Sequence, residues 1–542
     1  MLLQLLIYAV PAILVGILLQ NYFFLRSIPG PFLAKFTDLY RLLLVLGRKP
    51  HEKHLELHKR YGNVVRLGPK CVSVTGSAGY IGQIYGIGKG LVKSDFYSCF
   101  QNIVNGRRAA SLVAMTDESE HAKSKRQIAH AYSLSTLVEY EELVDRTTDV
   151  FLATLEERFA LNRKSESQLA QLGNGQVLDL GRYLQFFAFD VIGELTFSRR
   201  LGFIESGTDV NDIIDAIGAN FNYFSVLGQM PWLDEAFLGK NPIYVRWFRK
   251  SVSSPILLFA QSLLKERLRD MERGEKESDR ALDRPDFLSR FLKVRKEETD
   301  PESALTDAQI LSHLFMNINA GSDTIASTLR AIFYHLLKTP STLSQLVNEL
   351  DMAVSQGKIA HPPSPTWSET QQHLPYLCAV VKEGLRMNPA LSLPLERVVP
   401  GESGYSNSYN KASSNGGGGL VLQHDDGSAP TILPPGTIVG INPWVFHRSP
   451  NVFGPDAEQW NPSRWLTAHE KQTKHMEHSL LAFGAGKRSC LGKNIAMLEL
   501  HKLVPALLLK FNLELADPQK EWDVSNAWVL NQTGLNVRLT VR

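Results

Sequence analysis

The stretch Phe483-Gly484-Ala485-Gly486-Lys487-Arg488-Ser489-Cys490-Leu491-Gly492 lies near the C-terminal end of the chain and holds its clearest chemical pattern. Cys490 stands just before the mostly apolar run 495–509, whose spacing predicts a buried helix. The N-terminus of that helix and the guanidinium of Arg488 should both lower the pKa of the thiol and favour the thiolate. Because the thiolate is the form that binds metals, the stretch predicts a metal ligand at Cys490.

Five residues of this stretch fit Phe-x-x-Gly-x-Arg-x-Cys-x-Gly, which resembles the haem-ligand signature of the cytochromes P450. A chance match should occur in only about one chain in ten thousand of this length. The resemblance implies that Cys490 binds the iron of haem b and that Phe483 covers the sulfur. Gly486 should let the backbone turn tightly and approach the porphyrin closely, and the resemblance places Arg488 in the haem-binding loop.

Composition fits this class of protein. The chain has 542 residues, 44% of them hydrophobic, so it can bury a large core. Length alone suggests about three or four domains, but the resemblance implies one mainly α domain with a small β region (α+β) over residues 26–542. The net charge of +3 gives no reason to expect nucleic-acid binding. The four cysteines form no Cys-x-x-Cys pair, so Cys71, Cys99 and Cys378 are interpreted as ordinary buried residues.

The N-terminal segment predicts a membrane anchor. Residues 1–25 carry no charge and are long and apolar enough for a helix that crosses a bilayer. Without a basic leader or a clear cleavage site, an uncleaved anchor is favoured over a signal peptide. Basic residues follow from Arg26, which places the catalytic domain in the cytosol by the positive-inside rule. We therefore predict a single-pass protein of the endoplasmic reticulum membrane, and Ile28-Pro29-Gly30-Pro31 resembles the hinge of microsomal family members.

A second motif lies in a long helix that should start at the capping box of Thr306 and run to about Leu337. At its centre, Ala320-Gly321-Ser322-Asp323-Thr324 resembles the family's oxygen-activation motif, except that Ile325 replaces the last hydroxyl residue. A carboxylate beside a hydroxyl in a buried helix has no packing reason. The resemblance implies that Asp323 and Thr324 are catalytic and deliver protons to dioxygen, and that Gly321 makes room for it.

Basic residues elsewhere match positions that bind the haem propionates in the family. His121 and Lys125 are four residues apart and share one face of a predicted helix. The family usually has arginine where this chain has Lys125, so Arg126 is a second candidate and the choice stays open. Arg397 resembles the family's propionate-binding arginine on a strand, which would place 391–395 along the substrate pocket.

Three further features resemble structural parts of the family. Glu383 and Arg386, with Arg464, resemble a buried charge network that supports folding and haem retention. The run 186–194 resembles a core helix of filamentous-fungal members. The aromatic run 221–232 lies where the substrate-channel lid would be, with plain core packing as the alternative.

Segments 64–67 and 71–75 predict a β-hairpin. The polar segments 161–176 and 271–285 predict exposed loops. The Gly/Ser/Asn-rich segment 401–430 predicts a flexible insertion to which no function is assigned.

These motifs predict a membrane-anchored haem-thiolate monooxygenase similar to the pisatin-demethylase-like group of filamentous fungi. No flavin or nicotinamide fingerprint stands out, so electrons should come from NADPH through NADPH-cytochrome P450 reductase, with cytochrome b5 as a helper. The expected substrate is a hydrophobic secondary metabolite. Two alternatives stay open: a reductase-independent isomerase or dehydratase, against which Asp323 and Thr324 argue, and a non-catalytic haem-binding membrane protein.

Overall fold

The structure is a computed structural model that describes residues 2–104, 107–160, 177–247, 255–273, 282–300, 304–360, 364–401 and 419–542. The predicted loop 161–176 lies outside these residues. So do 274–281 of the second predicted loop and 402–418 of the predicted insertion.

Helices dominate the described chain. They are α1 (Leu2–Phe24), α2 (Leu39–Leu46), α3 (Pro50–Tyr61), α4 (Gly79–Tyr85), α5 (Glu118–Ile128), α6 (Leu134–Phe159), α7 (Leu180–Phe197), α8 (Phe203–Ser206), α9 (Ile213–Leu227), α10 (Pro231–Phe237), α11 (Pro242–Trp247), α12 (Pro255–Glu272), α13 (Phe287–Glu297), α14 (Asp307–Gly321), α15 (Asp323–Lys338), α16 (Pro340–Ser355), α17 (Trp367–His373), α18 (Pro375–Met387), α19 (Pro443–Phe446), α20 (Pro450–Phe453), α21 (Arg464–Thr467), α22 (Glu470–His478) and α23 (Lys493–Lys510).

Strands form a small β region beside the helices, which confirms the predicted fold class. They are β1 (Val64–Arg66), β2 (Cys71–Val74), β3 (Val92–Lys93), β4 (Asn102–Val104), β5 (Arg107–Ala109), β6 (Leu178–Asp179), β7 (Arg397–Val398), β8 (Leu420–Leu422), β9 (Thr431–Leu433), β10 (Ile438–Ile441), β11 (Phe511–Leu515), β12 (Asp523–Ala527), β13 (Val529–Thr533) and β14 (Asn536–Val541). The largest sheet has the order β1-β2-β10-β7-β3, and β11-β14-β6 form a second sheet. The predicted hairpin is present as the antiparallel pair β1 and β2. Strand β8, which lies within the predicted insertion, pairs with β9 just after its end.

Helix α7 lies at the centre of the helical part. All of its residues except Arg182 and Gln185 are buried, because the aromatic and aliphatic side chains of 186–197 cover most of its circumference. It packs against α6 and against α14 and α15. The predicted core helix at 186–194 is thus confirmed.

The predicted long helix is present as α14 and α15. Its N-terminus carries the predicted capping box, in which Thr306 Oγ1 accepts from the Gln309 amide at 3.2 Å and Gln309 Oε1 accepts from the Thr306 amide at 2.9 Å. The helix ends at Lys338, one residue beyond the predicted end.

One interruption of this helix, at Ser322, was not predicted. Ser322 Oγ donates to the carbonyl of Ile318, and Thr324 Oγ1 donates to the carbonyl of Ala320, both at 2.7 Å. Hydroxyl groups that bond to carbonyls four residues earlier compete with the helical ladder and bend a helix. The interruption therefore comes from the side chains of the predicted oxygen-activation motif.

The N-terminal segment forms α1 and is docked on the sheet by Arg66. The amide of Arg66 donates to the carbonyl of Pro29 at 2.7 Å, and its guanidinium donates to the carbonyls of Tyr22 and Lys35 at 3.1 and 3.2 Å. Gly30 has no room for a side chain, since a Cβ there would lie 2.3 Å from the carbonyl oxygen of Arg66. The predicted hinge is therefore held tightly against β1.

Described apolar side chains of α1 are largely exposed, including Tyr8, Ile13, Leu14 and Phe23. Within the part of the chain whose placement is described, the structure contains no helix that is both long and apolar enough to span a membrane. The membrane-spanning anchor stays a prediction.

The predicted charge network is present and buried. Glu383 accepts from Arg386 Nε and Nη2 at 2.8 and 2.7 Å, and from Arg464 Nε at 3.1 Å. The indole of Trp465 adds a fourth side-chain bond, at 2.9 Å. Burial alone would raise the pKa of Glu383, but Arg386 and Arg464 outweigh it and hold the pKa below its usual value. Glu383 is therefore a buried carboxylate that links α18 to α21.

Four buried histidines predict that the fold loses stability in mild acid. Burial lowers the pKa of His51, His54 and His447 to about 3 and that of His58 to about 4. The unfolded chain, with pKa values of about 6.5, binds protons below that pH which the folded chain does not. The free energy of unfolding should then fall by up to about 1.4 kcal/mol per pH unit for each histidine as the pH falls from about 6.5 towards 4.

Urea unfolding between about pH 7 and pH 5 measures this loss before most carboxylates titrate. His51→Phe is the informative variant, because neither ring nitrogen of His51 has a hydrogen-bond partner and its ring packs edge-on against Trp444. In this variant, the free energy of unfolding should depend less steeply on pH, by the amount that corresponds to about one proton. If the free energy of unfolding did not change over this pH range, these histidines would take up protons as readily in the folded chain as in the unfolded chain.

Candidate active site

A large cavity lies between the interrupted helix and the segment 483–492, here called the cysteine loop. It contains about 2270 Å³ of space, counting its open mouth. Its lining includes Cys490 of the cysteine loop and Thr324 of the interrupted helix.

Cys490 presents its thiol to this cavity. The loop is held in place by its backbone, because the amide of Cys490 donates to the carbonyl of Phe483 at 2.8 Å. Cys490 is exposed to the cavity, whereas Cys71 and Cys99 are buried elsewhere and Cys378 is half-buried outside it. Cys490 is therefore the one cysteine placed to bind a ligand in the cavity.

The surroundings of the thiol differ from the prediction. Desolvation inside the cavity raises the pKa of Cys490, while the backbone of Gly492 and the charges of Lys125 and Lys493 act in the opposite direction. Arg488 is bonded to Glu118, since its Nε and Nη2 donate to Glu118 Oε1 at 3.0 and 2.8 Å. The thiol pKa is therefore raised in the protein alone, where the sequence predicted that it is lowered. Deprotonation of Cys490 would come from a bound metal ion, which ionises a coordinating thiol outright.

The two other predicted residues of the loop have different places. Phe483 lines the cavity beside the thiol, as predicted. Gly486 does not line it. Its backbone has φ +66°, and a Cβ there would lie 1.9 Å from the carbonyl oxygen of Tyr85. The positive φ supports the predicted tight turn, and the packing on Tyr85 is a second reason for glycine at this position. The close approach to a porphyrin stays a prediction.

The predicted catalytic pair is divided by the helix. Thr324 lines the cavity, with its hydroxyl donating to the carbonyl of Ala320. Asp323 does not line it, because its carboxylate accepts from Gln185 Nε2 at 2.7 Å on α7. Burial raises the pKa of Asp323, opposed by the bond from Gln185 and by the charge of Arg330. Of the two predicted catalytic residues, Thr324 is therefore the one that can act directly on a molecule in the cavity.

Gly321 lines the cavity, so the predicted room for dioxygen stays a prediction. A Cβ at Gly321 would lie 2.8 Å from Cδ1 of Ile192 on α7. The missing side chain therefore also allows α14 to approach α7 closely.

Basic side chains line another wall of the cavity, here called the propionate wall. His121, Lys125, Arg397 and Arg488 all lie there, as predicted, and Lys125 Nζ donates to the carbonyl of Lys487 at 3.0 Å. Arg126 is exposed and does not line the cavity, so the structure favours Lys125 over Arg126 for a propionate.

The electrostatics of this wall suit an anionic ligand. Burial and, after it, the charges of Arg488, Lys93, Lys125 and Arg397 together lower the pKa of His121 to about 3. Among the described residues, Glu118 is the single carboxylate paired with these cations, through Arg488, and Arg488 Nη1 has no hydrogen-bond partner. Two carboxylates at the edge of a haem would balance this charge, and Cys490 would bind its iron. The residues present therefore fit haem.

The remaining wall is aromatic and comes from three distant parts of the chain. The ring of Phe100 lies 4.5 Å from that of Trp528 and 4.7 Å from that of Phe224, centroid to centroid. Phe221 also lines the cavity, which supports the substrate-channel interpretation of 221–232. Of the predicted segment 391–395, Leu391 and Leu395 line the cavity too.

Two residues of the cavity were missed from the sequence. Lys93 lies on the two-residue strand β3, which is too short to show a periodic pattern. Trp528 joins β12 to β13 with φ +77°, a backbone conformation that a tryptophan rarely adopts. No local signal marks Trp528; its position depends on the pairing of the flanking strands.

Comparison with known proteins identifies the family. The cytochrome P450 family model matches residues 29–405 and 426–539. A cytochrome P450 monooxygenase of Aspergillus terreus is 42% identical over 508 residues, 94% of each chain. Cytochrome P450 monooxygenase cicH of Emericella nidulans is 40% identical over 528 residues, 96% of each chain. A cytochrome P450 monooxygenase of Aspergillus flavus is 39% identical over 518 residues, covering 95% of this chain and 92% of its own.

The chain belongs to the cytochrome P450 family, and its relatives are monooxygenases of filamentous fungi. The resemblance drawn from the cysteine loop is thus confirmed, as is the enzyme class. The family's cofactor is haem. When bound, haem supplies the iron at which dioxygen is activated.

Proposed function

We propose that this protein is a membrane-anchored haem-thiolate monooxygenase that takes electrons from NADPH through a separate reductase and oxidises a neutral, hydrophobic small molecule of fungal secondary metabolism. The observation that carries the proposal is the cavity itself. Its walls bring together a thiol at Cys490, a hydroxyl at Thr324 and an aromatic surface around Phe100. These are the groups needed for an iron ligand, proton delivery and an apolar substrate.

The role proposed for Thr324 follows from its hydrogen bond. Its hydroxyl donates back to Ala320, and rotation about one bond would turn the same proton towards the cavity. The carboxylate of Asp323 would have to break its hydrogen bond with Gln185 to reach the cavity. We therefore assign Asp323 to returning a proton to Thr324 after Thr324 has donated one.

Replacing Thr324 with alanine tests the proposed reaction. We expect haem content to stay unchanged, because Thr324 touches no cation of the propionate wall. Product formed per NADPH should fall by at least about tenfold, with hydrogen peroxide released instead, since positioned proton donors typically contribute 10²–10⁴ in rate. Thr328→Ala is the matched control, because Thr328 lines the same cavity one turn later and its hydroxyl donates to the carbonyl of Thr324. Unchanged coupling in Thr324→Ala would end the proton-delivery role.

The substrate is proposed to be neutral and apolar because charge and aromatic surface occupy separate walls. The cations converge on the propionate wall, where haem would use them. Around Phe100, Phe224 and Trp528, the described lining offers rings and the amides of Asn102 and Asn220. A fused-ring compound with one or two neutral oxygens would fit such a wall.

The electron donor is proposed to be NADPH-cytochrome P450 reductase, with cytochrome b5 as a helper. Lys487 is exposed on the cysteine loop, and Lys123 and Arg126 are exposed on α5, which suits an acidic partner. Turnover with NADPH should require added reductase. Turnover of a peroxide substrate without reductase would favour the isomerase alternative.

The anchor and location are proposals as well: a single pass through the endoplasmic reticulum membrane, with the catalytic domain in the cytosol. Residues 1–25 carry no charge, and α10 and α11 also expose apolar side chains, including Trp232, Phe237 and Ile243. In microsomes the full chain should resist alkaline extraction, while protease added outside should digest the catalytic domain. Release by alkali would contradict the anchor.

A further inference from the structure

Lys93 and Arg397 are paired across two strands of the largest sheet. They are direct antiparallel partners in β3 and β7, and each is 6% exposed. Both line the cavity. Like charges directly opposite each other destabilise a sheet unless a counter-charge lies between them.

Protein groups around Lys93 do not supply that counter-charge. Its Nζ donates to the carbonyl of Val113 at 2.6 Å and lies 4.1 Å from the ring centroid of Tyr97. Within the described part of the chain, neither Lys93 nor Arg397 has a carboxylate within 4 Å. The nearby carboxylate Glu118 is bonded to Arg488.

The electrostatic effect on Lys93 is large. Burial lowers its pKa well below the ordinary value, and the charges of Arg397 and Arg488 lower it further, with Glu118 opposing. Tyr97, Lys125 and His121 are the other titratable groups of this wall. A buried lysine in such a field is costly unless an anion joins it.

We propose that Lys93 is a cofactor-binding residue whose ammonium group pairs with a propionate of haem beside Arg397. Arg397 presents a rigid fork, whereas Lys93 adds a flexible point charge on the adjacent strand. The pairing of the short strand β3 with β7 places this lysine at the cavity wall. The proposal rests on the haem site and not on the monooxygenase reaction, so it can fail without affecting the proposed function.

The test is the rate at which the holoenzyme loses haem to an excess of apomyoglobin. Lys93→Met keeps the length and the apolar stem but removes the charge. A charge-assisted bond is worth about 1.5–3 kcal/mol, so we expect loss to be roughly 10- to 100-fold faster. Lys93→Arg should release haem nearly as slowly as the wild type. Lys89→Met is the matched control, because Lys89 is exposed four residues earlier and lies outside the cavity lining.

Haem dimethyl ester separates a propionate contact from a structural role, because esterification removes the carboxylate charges and keeps the porphyrin. Wild type and Lys93→Met, each refilled with this ester, should lose it at equal rates. A lysine that only stabilises the sheet would leave the difference intact with the ester, and that result would overturn the proposal. Equal loss of natural haem from wild type and Lys93→Met would overturn it as well.

If Lys93→Met does not fold, the wild type and Lys93→Arg carry the test. Both should then hold natural haem much more tightly than the ester. At a pH high enough to deprotonate lysine, this preference for natural haem should shrink in the wild type but not in Lys93→Arg. A preference that stays equal in the two proteins at every pH would contradict the role of Lys93.

Discussion

Replacing Cys490 with alanine should remove the iron ligand and, with it, all monooxygenase activity. The thiol lies in the cavity that Thr324 and the propionate wall also line, and the other three cysteines lie outside its lining. Residues that merely orient a metal ligand cost 10–100-fold in affinity or activity when changed. Loss of the ligand itself should therefore lower activity by more than about a hundredfold. Haem content and product formation in the purified protein measure the effect.

Cys378→Ala provides the matched control, because it removes one thiol from a half-buried position outside the cavity lining, where the sulfur donates to the carbonyl of Thr370 at 3.7 Å. This variant should keep wild-type haem content and turnover. If Cys490→Ala kept both instead, another group would have to hold the iron.

Glu383→Gln should unfold the protein more readily than any surface change. The substitution keeps the shape of the side chain but leaves Arg386 and Arg464 buried without their shared negative charge. Breaking a buried ion pair by removing one partner costs about 3–5 kcal/mol, a large part of the stability of a typical domain. Urea unfolding should show this loss, and purified protein should contain less haem, since α18 and α21 are no longer tied together.

Glu477→Gln is the comparison, because Glu477 pairs with Lys382 on the surface at 2.5 Å. An exposed pair contributes at most about 1 kcal/mol. If both variants lost the same free energy of unfolding, the buried network would contribute no more to stability than a surface ion pair does.

Much of the candidate site could be predicted because its chemistry is written in short local patterns. The cysteine loop, the capping box at Thr306 and the Glu383 and Arg386 pair each depend on neighbours within a few residues. Spacing of this kind is a property of the sequence, and the cavity then brings Cys490 and Thr324 together as expected.

The differences have another origin, since each depends on a partner from a distant segment. The guanidinium of Arg488 is bonded to Glu118, and the carboxylate of Asp323 is bonded to Gln185. Neither contact has a signal in the local sequence. Each motif therefore predicted a role for a side chain that the fold bonds to another partner.

Lys93 shows why a functional residue can be missed altogether. Its strand has two residues, and its proposed function depends on Arg397, which lies directly opposite it on the neighbouring strand. The break at Ser322 is similar: a periodic pattern gives the length of the helix, but hydroxyl bonds to the backbone interrupt it.

The difference spectrum of the reduced protein with carbon monoxide tests the central claim most directly, because the position of its Soret band reports the ligand opposite the carbon monoxide. We expect the long-wavelength band that is typical of a thiolate ligand, from Cys490. A band at the shorter wavelength of histidine-ligated haem, or no haem in well-folded protein, would show that Cys490 does not hold the iron and would contradict the proposed function.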